Sequence, residues 1–314
     1  GAHSNPEFIE RRRRQLEVWL QRVTSHPELQ QAECLQVFLE AEEDALEAAK
    51  ASSRAASGRQ GHWGQLLTEG WWGIRSYAGK SLGSVPDGVV DRQCDELKAY
   101  VGRLEAQLSA LHKAAERLVR RHKADSTGMT ELGLAFSQLG SNADNDLSRG
   151  LAAGLAQLGV TCDLASRSLG EQSDREGEQL EEPLRDILRR LQQCRLAIGA
   201  RESAFLNSQA AASALDAKRS KKIRAVGGDA GDGRSHQMES EIAEAETLVR
   251  QTQAEYETIK DRTNREMERF QKEIMQDVHN MLGIFVRLRV EDTTRENEMW
   301  SQVLPKFEGR PTSS

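Results

Sequence analysis

Apolar residues along most of this chain recur at alternating steps of three and four, the spacing of one face of an α-helix. Between Pro86 and Pro305 there is one other proline, Pro183, so little in that stretch would interrupt a long helix. Narrow apolar stripes of this kind are buried only against other helices, which predicts coiled-coil-like packing. The three clearest runs are Leu97, Val101, Leu104, Leu108, Leu111, Ala115 and Leu118; Leu151, Leu155, Leu158, Cys162, Ala165 and Leu169; and Leu180, Leu184, Ile187, Leu191, Cys194 and Ile198.

Prolines, glycines and caps divide the chain into segments. Asn5-Pro6 and His26-Pro27 are typical start and stop signals, and a glycine-rich turn at 226–234 separates the last two apolar runs. Pro183 predicts a kink within the longest helix. The expected segments are helices at 5–25 and about 28–50, an Ala/Ser/Gly/Arg-rich linker at 51–62, a separate element at 63–83, and three long helices at about 88–140, 144–226 and 236–304.

The element at 63–83 is amphipathic and rich in tryptophan. Its glycines weaken a helix, each by roughly 1 kcal/mol relative to alanine, so the segment needs a partner for its apolar face. Two partners remain open: the helical bundle, or a bilayer interface with Arg75 and Lys80 facing lipid phosphates. We favour the bilayer, because Trp and Tyr are typical of membrane interfaces. The residues that share the apolar face, and that would insert, are Trp63, Leu66, Leu67, Trp71, Ile74, Tyr77 and Leu82.

Charge is unevenly placed along the chain. The net charge is −6, which argues against a nucleic-acid-binding protein, yet basic residues are concentrated at the far end of the second long helix. Clusters of four to eight Lys or Arg bind anionic lipid, whereas ion pairs with acids of the last helix are the alternative. The candidate headgroup-binding residues are Lys218, Arg219, Lys221, Lys222 and Arg224, extended by Arg185, Arg189 and Arg190.

Several classes of protein are disfavoured by composition. The histidines and four cysteines lack metal-ligand spacing, and no nucleophile motif or phosphate-binding loop appears, so we expect no enzyme activity, metal or cofactor. No apolar run approaches the roughly 18 residues of a membrane span, and no signal peptide is apparent. With 29% charged and 5% aromatic residues, the composition favours elongated helices, and the four widely separated cysteines are typical of a cytoplasmic protein.

Local motifs resemble a known family. Phe8-Ile9-Glu10-Arg11-Arg12-Arg13, followed by His26-Pro27, resembles the last helix of a phox-homology (PX) domain. Glu181-Glu182-Pro183-Leu184, Met129 to Phe136, Glu268-Arg269-Phe270 and Trp300 to Pro305 are similar to the remainder of a sorting nexin of the PX-BAR type. The order of the elements strengthens the resemblance, which covers residues 5–308.

This resemblance implies an all-α fold and a membrane function. Residues 1–50 would hold the PX remnant and the following helix, and residues 88–308 an elongated antiparallel three-helix coiled-coil BAR domain. Two chains, in a homodimer or a heterodimer with another BAR sorting nexin, would form a six-helix crescent on anionic, phosphoinositide-containing endosomal membrane. In that family such dimers often act with retromer. Arg12 matches an arginine that contacts the phosphoinositide headgroup.

The heptad pattern itself predicts a dimer, since three long helices carry more apolar surface than one chain of this length hides. A soluble coiled-coil adaptor that binds proteins and not lipid is the alternative function. The residues expected on the dimer seam are Leu97, Val101, Leu104, Leu108, Leu111, Leu184, Ile187 and Leu191.

Overall fold

The computed structural model describes residues 6–60, 90–141, 149–226 and 232–308, and every regular element within those ranges is helical. The chain divides into two units, one within residues 1–77 and the other within residues 78–314.

The first unit contains three α-helices. α1 spans Pro6–Ser25, a 3₁₀ turn spans Leu29–Gln31, α2 spans Glu33–Glu40 and α3 spans Glu43–Gln60. His26 follows α1, and its Nδ1 accepts hydrogen bonds from the N–H groups of Glu28 and Leu29, at 3.1 and 3.2 Å. The backbone is extended at Ala32 and at Ala41, so the single helix expected at 28–50 is interrupted at these two residues.

Residues 51–60 differ from the linker expected at 51–62. They continue α3 as far as Gln60. Alanine, arginine and glutamine are strong helix formers, and in this stretch they outweigh the serines and Gly58. A composition rich in small residues thus did not imply irregular backbone here.

The second unit is built from four long helical pieces and a short terminal one. The elements are α4, Arg92–Ser141; α5, Arg149–Glu176; a π turn, Gly177–Glu181; α6, Glu182–Val226; α7, Asp232–Val303; and α8, Pro305–Glu308. α4 packs on α5 and α6, and α7 also packs on α5 and α6. At about 1.5 Å per residue, the 72 residues of α7 extend for roughly 108 Å.

The core of this unit lies where α4, α6 and α7 meet. Leu184, Leu191 and Val101 have no exposed surface, and Ile187 and Ile274 have 2% each. Leu108 and Met281 are also buried in the same cluster, with Leu97 and Leu104 packed against its edge. These side chains therefore form the interior of a single chain, which corrects the expectation that they lie between two chains. Leu111 alone of the expected seam remains exposed, at 37%.

Pro183 accounts for the break between α5 and α6. Proline has no N–H to donate and its ring crowds the carbonyl one turn earlier. The π turn Gly177–Glu181 immediately precedes it and widens the helix at that point, as π turns inside α-helices do. Leu180 stays buried within the turn. The kink predicted at Pro183 thus coincides with the π turn. The helix continues through this turn, so α5 and α6 follow one another without a loop.

Candidate membrane-binding surface

The last third of α6 pairs with the first third of α7. Small side chains fill the space between them: Ala204, Ala210 and Ala211 of α6 and Ala245 of α7 are buried, together with Leu215. Small residues allow two helices to approach closely, but they bury little apolar area. This paired segment carries the basic cluster of residues 218–224 at the end of α6.

Three of the five basic side chains in that cluster are held by α7. Arg219 pairs with Glu246 at 2.8 Å and Lys222 with Glu239 at 2.9 Å. Lys218 donates from Nζ to the backbone carbonyl of Glu241 at 3.2 Å, so the third cation is also engaged. The hydrogen bond from Lys222 lowers the pKa of Glu239 below its usual value.

The other two cations of the cluster are available to a ligand. Lys221 and Arg224 are exposed, and neither has a hydrogen-bond or ion-pair partner in the part of the chain that the structure describes. The ion-pair interpretation therefore holds for the three α7-facing cations. Lipid binding by Lys221 and Arg224 stays a prediction.

The arginines near Pro183 divide in the same way. Arg190 is only 17% exposed and pairs with Asp277 at 2.5 Å and Glu273 at 2.7 Å, while its guanidinium lies 5.3 Å from the centre of the Phe270 ring. The Arg190 guanidinium therefore joins α6 to α7 and is not available to a lipid headgroup.

The two arginines beside Arg190 are less enclosed. Arg185 pairs with Glu181 and Glu182 on its own helical path. Arg189 is exposed, with no partner among the residues described. Of these three arginines, Arg189 is thus the one that remains free for an anion.

The remaining predicted lipid contacts fall into two groups. The inserting residues between Trp63 and Leu82, together with Arg75 and Lys80, lie outside the described residues. Arg12 is exposed on α1, and no hydrogen bond or ion pair engages it within residues 6–60, whereas its neighbour Arg13 pairs with Glu10 and Glu17. Hydrogen bonds from Arg13 and then Arg14 lower the pKa of Glu10 to about 2.

A buried arginine is the feature that the sequence analysis missed. Arg201 of α6 has no exposed surface. Its Nε and Nη2 donate to the two carboxylate oxygens of Asp91 at 2.7 and 3.0 Å. Nη1 donates to Asn264 at 2.8 Å, and Nη2 also donates to Gln93 at 3.0 Å. Continuing the Leu180–Ile198 run by one more step of three reaches position 201, so a charged residue at a seam position was the available signal.

Asp91 is the centre of this cluster. It accepts the N–H of Cys94 at 3.1 Å, which caps the start of α4, and the hydroxyl of Tyr256 on α7 at 2.9 Å. Burial alone would raise the pKa of Asp91, but the hydrogen bonds from Arg201, Cys94 and Tyr256 together lower it. Burial and the same carboxylate raise the pKa of Tyr256. We call Asp91, Gln93, Arg201, Tyr256 and Asn264 the α4 clamp.

A second buried polar cluster lies beside the π turn. Glu176 has no exposed surface and bonds to His122 of α4 at 2.7 Å and to Gln172 at 3.0 Å. Arg289 of α7 lies 3.4 Å away, so the carboxylate joins three helices. Arg175 with Asp292 extends the same α5–α7 contact. This cluster fixes the bundle at its change of helical register.

Apolar side chains remain exposed on one half of the bundle. They lie on the last part of α4, the first part of α5 and the second half of α7. In this half of the bundle α4 and α5 approach closely, because a Cβ on Gly133 would lie 3.0 Å from the Gly159 carbonyl oxygen. Exposure ranges from 42% to 68% in this set. Its members are Leu132, Leu134 and Leu139; Leu151, Val160 and Leu164; and Met275, Leu282, Val286 and Val290.

The described ranges contain neither a membrane-spanning helix nor a metal-binding group. Among the helices given above, none combines the length and low charge of a bilayer-spanning segment. The same residues contain no group of three His, Cys, Asp or Glu side chains arranged to hold a metal ion.

Comparison with known sequences identifies relatives. A family profile described as Vps5 C terminal like matches residues 90–306, and the PX domain profile matches residues 2–42. Sorting nexin 1 of Arabidopsis thaliana is 25% identical over 311 residues, covering 96% of this chain and 73% of that protein. Sorting nexin-1 of Mus musculus is 27% identical over 308 residues, covering 96% and 55%. The chain thus spans about half the length of the mouse relative and about three quarters of the plant one.

Proposed function

Since this chain belongs to the Vps5 C-terminal-like family and is a membrane-associated sorting nexin of the PX-BAR type, we propose that it senses or generates membrane curvature on endosomes. Its dimer presents a long, partly basic surface to anionic lipid, and phosphoinositide contributes to recruitment through the PX portion. The cargo transport that follows involves retromer. Localisation is cytoplasmic and peripheral on the endosomal membrane.

One observation carries the proposal. A helical unit with an element of roughly 108 Å presents two unpaired cations, Lys221 and Arg224, at the end of α6. Basic side chains near an anionic membrane surface contribute about 1 kcal/mol each. Arg189 adds a third free cation farther along the same helix. Cations spread along a rigid rod bind best to a surface whose curvature follows the rod.

Vesicle binding tests this electrostatic part. We expect Lys221→Glu with Arg224→Glu to weaken binding to vesicles that contain phosphatidylserine and phosphoinositide by at least tenfold, because two attractions are lost and two repulsions are gained. Co-sedimentation at low and high salt measures the effect, and the difference between variant and wild type should shrink as salt screens the charges.

The matched control is Lys113→Glu with Arg117→Glu, two exposed cations of α4 that change the net charge by the same amount. If this control weakens binding as much, net charge rather than the end of α6 governs binding. If the wild-type chain does not sediment with vesicles at all, the soluble adaptor becomes the better function. The three cations that α7 engages are the observation that favours that alternative.

The amphipathic segment supplies the second part of the mechanism. We expect Trp71→Glu with Ile74→Glu to abolish tubulation of vesicles while most electrostatic binding remains. Burying each of these side chains in lipid is worth roughly 1.5–3 kcal/mol, and a glutamate forfeits it. Negative-stain microscopy of vesicles measures tubulation, and tryptophan fluorescence measures insertion as a blue shift that the double variant loses.

Trp72 provides the control for insertion, because it falls on the opposite side of the helical wheel. Trp72→Glu should tubulate vesicles nearly as well as the wild-type chain. Normal tubulation by the Trp71/Ile74 variant would instead mean that curvature comes from the rigid bundle alone.

A further inference from the structure

Ser220 lies on the side of α6 that faces away from α7. Lys218 and Lys222, two residues before and two residues after it, both reach α7. Residues two apart on a helix point about 200° apart, so the Ser220 side chain is directed away from that contact. It is exposed, and its hydroxyl has no partner in the part of the chain that the structure describes. The hydroxyl is therefore open to a modifying enzyme.

The same side of α6 carries a free cation. Arg224 follows Ser220 by four residues, a little more than one helical turn, so the two side chains are neighbours on the helix surface. Lys221, the other free cation of the cluster, is the next residue. Phosphoserine carries about −1.5 to −2 charges at pH 7, which is enough to neutralise both cations. A phosphate at this single position would remove the charge that the end of α6 offers to anionic lipid.

The end of α6 is weakly held, and a kinase requires that, because it binds the residues around its target hydroxyl as an extended chain. Leu215 is buried, but every side chain from 216 to 225 is exposed or half-buried. Two exposed ion pairs and one hydrogen bond join this stretch to α7, and exposed ion pairs add little stability. Residues 216–226 can therefore open locally while the buried core stays folded.

The sequence around Ser220 suits one class of enzyme. Four basic residues flank the serine closely, two on each side: Lys218, Arg219, Lys221 and Lys222. An acidic peptide-binding groove is complementary to such a segment, and basophilic serine/threonine kinases have such a groove. In the reaction the Ser220 Oγ bonds to the γ-phosphorus of ATP and the bond from that phosphorus to the β,γ-bridging oxygen breaks. ADP leaves, and the hydroxyl proton passes to the catalytic base of the kinase.

We propose that Ser220 is a phosphorylation site for a basophilic kinase, and that its phosphate switches off lipid binding by the end of α6. The switch rests on the membrane function proposed above, whereas the modification itself does not. The phosphate pairs with Arg224 and offsets Lys221. The ion pairs with α7 lie on the opposite side of the helix, so the fold is retained.

Phosphorylation of the full chain tests the site. With MgATP and the catalytic domain of protein kinase C, a basophilic kinase, mass spectrometry should find phosphate on Ser220. Glu239→Gln with Glu246→Gln should raise the rate at Ser220 at least threefold, because it breaks both ion pairs without changing the sequence that the kinase reads. The control is Glu244→Gln with Glu255→Gln, two exposed acids of α7 without an ion pair in the described ranges. It should leave the rate unchanged.

Vesicle binding tests the switch. Phosphoserine incorporated at position 220 during translation should weaken binding to phosphatidylserine vesicles about tenfold, and the difference should shrink at high salt. Phosphoserine at Ser301, an exposed position near the end of α7, adds the same charge elsewhere and should bind within twofold of the wild-type chain. Circular dichroism should show the same helicity for all three chains.

Several results would overturn the proposal. Absence of phosphate on Ser220, or equal rates for the two glutamine variants, means that the end of α6 does not open to the kinase. Undiminished binding with phosphoserine at 220, or an equal loss with phosphoserine at 301, means that there is no local switch. A wild-type chain that does not bind vesicles overturns the membrane function and the switch together. The kinase reaction separates these failures, because it measures the site without membrane.

Discussion

Leu191→Asp is expected to unfold the second unit. Leu191 has no exposed surface and lies in the core cluster shared by α4, α6 and α7. Removing a buried leucine costs about 2–5 kcal/mol, and a carboxylate placed there without a partner adds several more. Domains are stable by only about 5–15 kcal/mol in total, so the sum reaches the whole stability. Circular dichroism at 222 nm during urea titration measures the loss.

Leu196→Asp is the matched control. It lies on the same helix but is 45% exposed, so the new charge remains in water. We expect its urea midpoint to move little, whereas Leu191→Asp should be largely unfolded without urea. Equal midpoints for the two variants would show that this part of α6 does not carry the core.

The heptad pattern was sufficient to identify the core but not to assign it to one chain. Leu184, Ile187 and Leu191 are buried as the spacing requires. The spacing of apolar residues predicts that one face of a helix is buried, but it does not predict which helix packs against that face. In this protein α4, α6 and α7 of the same chain cover those faces. The surface left for a second copy consists of residues on other faces, such as Met275 and Val286.

Charge counting identified the basic cluster but not which members are paired. Partners across an antiparallel hairpin lie at nearly equal distances from its turn, and Lys222 and Glu239 lie four and five residues outside the glycine-rich turn at 226–234. Arg219 and Glu246 lie seven and twelve residues outside it, so the sequence indicated the register only for the pair nearest the turn. Which basic side chains point away from α7 depends on their angular position around α6, and a count of charges does not include that position. The α4 clamp was missed for a different reason, since Asp91 lies before the heptad run begins.

We expect Val286→Glu with Val290→Glu to convert a dimer into a monomer. Both valines are exposed, at 58% and 62%, and they lie one turn apart on α7, in line with Leu282. Exposed apolar stripes of this kind mark protein interfaces, and an interface between long helices buries more than about 2,000 Å². Two glutamates facing their copies across a symmetric interface would be desolvated and repel each other. Light scattering should give about 35.0 kDa for the variant and twice that for the wild-type chain.

Helicity separates this result from unfolding. Neither valine belongs to the core cluster, so the variant should keep its circular dichroism spectrum while its mass halves. Thr247→Glu with Gln251→Glu is the control, since it places the same charges on exposed positions of α7 in the segment paired with the end of α6. That control should remain a dimer. A dimeric Val286/Val290 variant, or a wild-type chain that is monomeric at micromolar concentration, would show that this face is not where two copies meet. If the proposed curvature function is right, loss of the dimer should also abolish tubulation, because a single chain provides only one helical bundle and half of the cations.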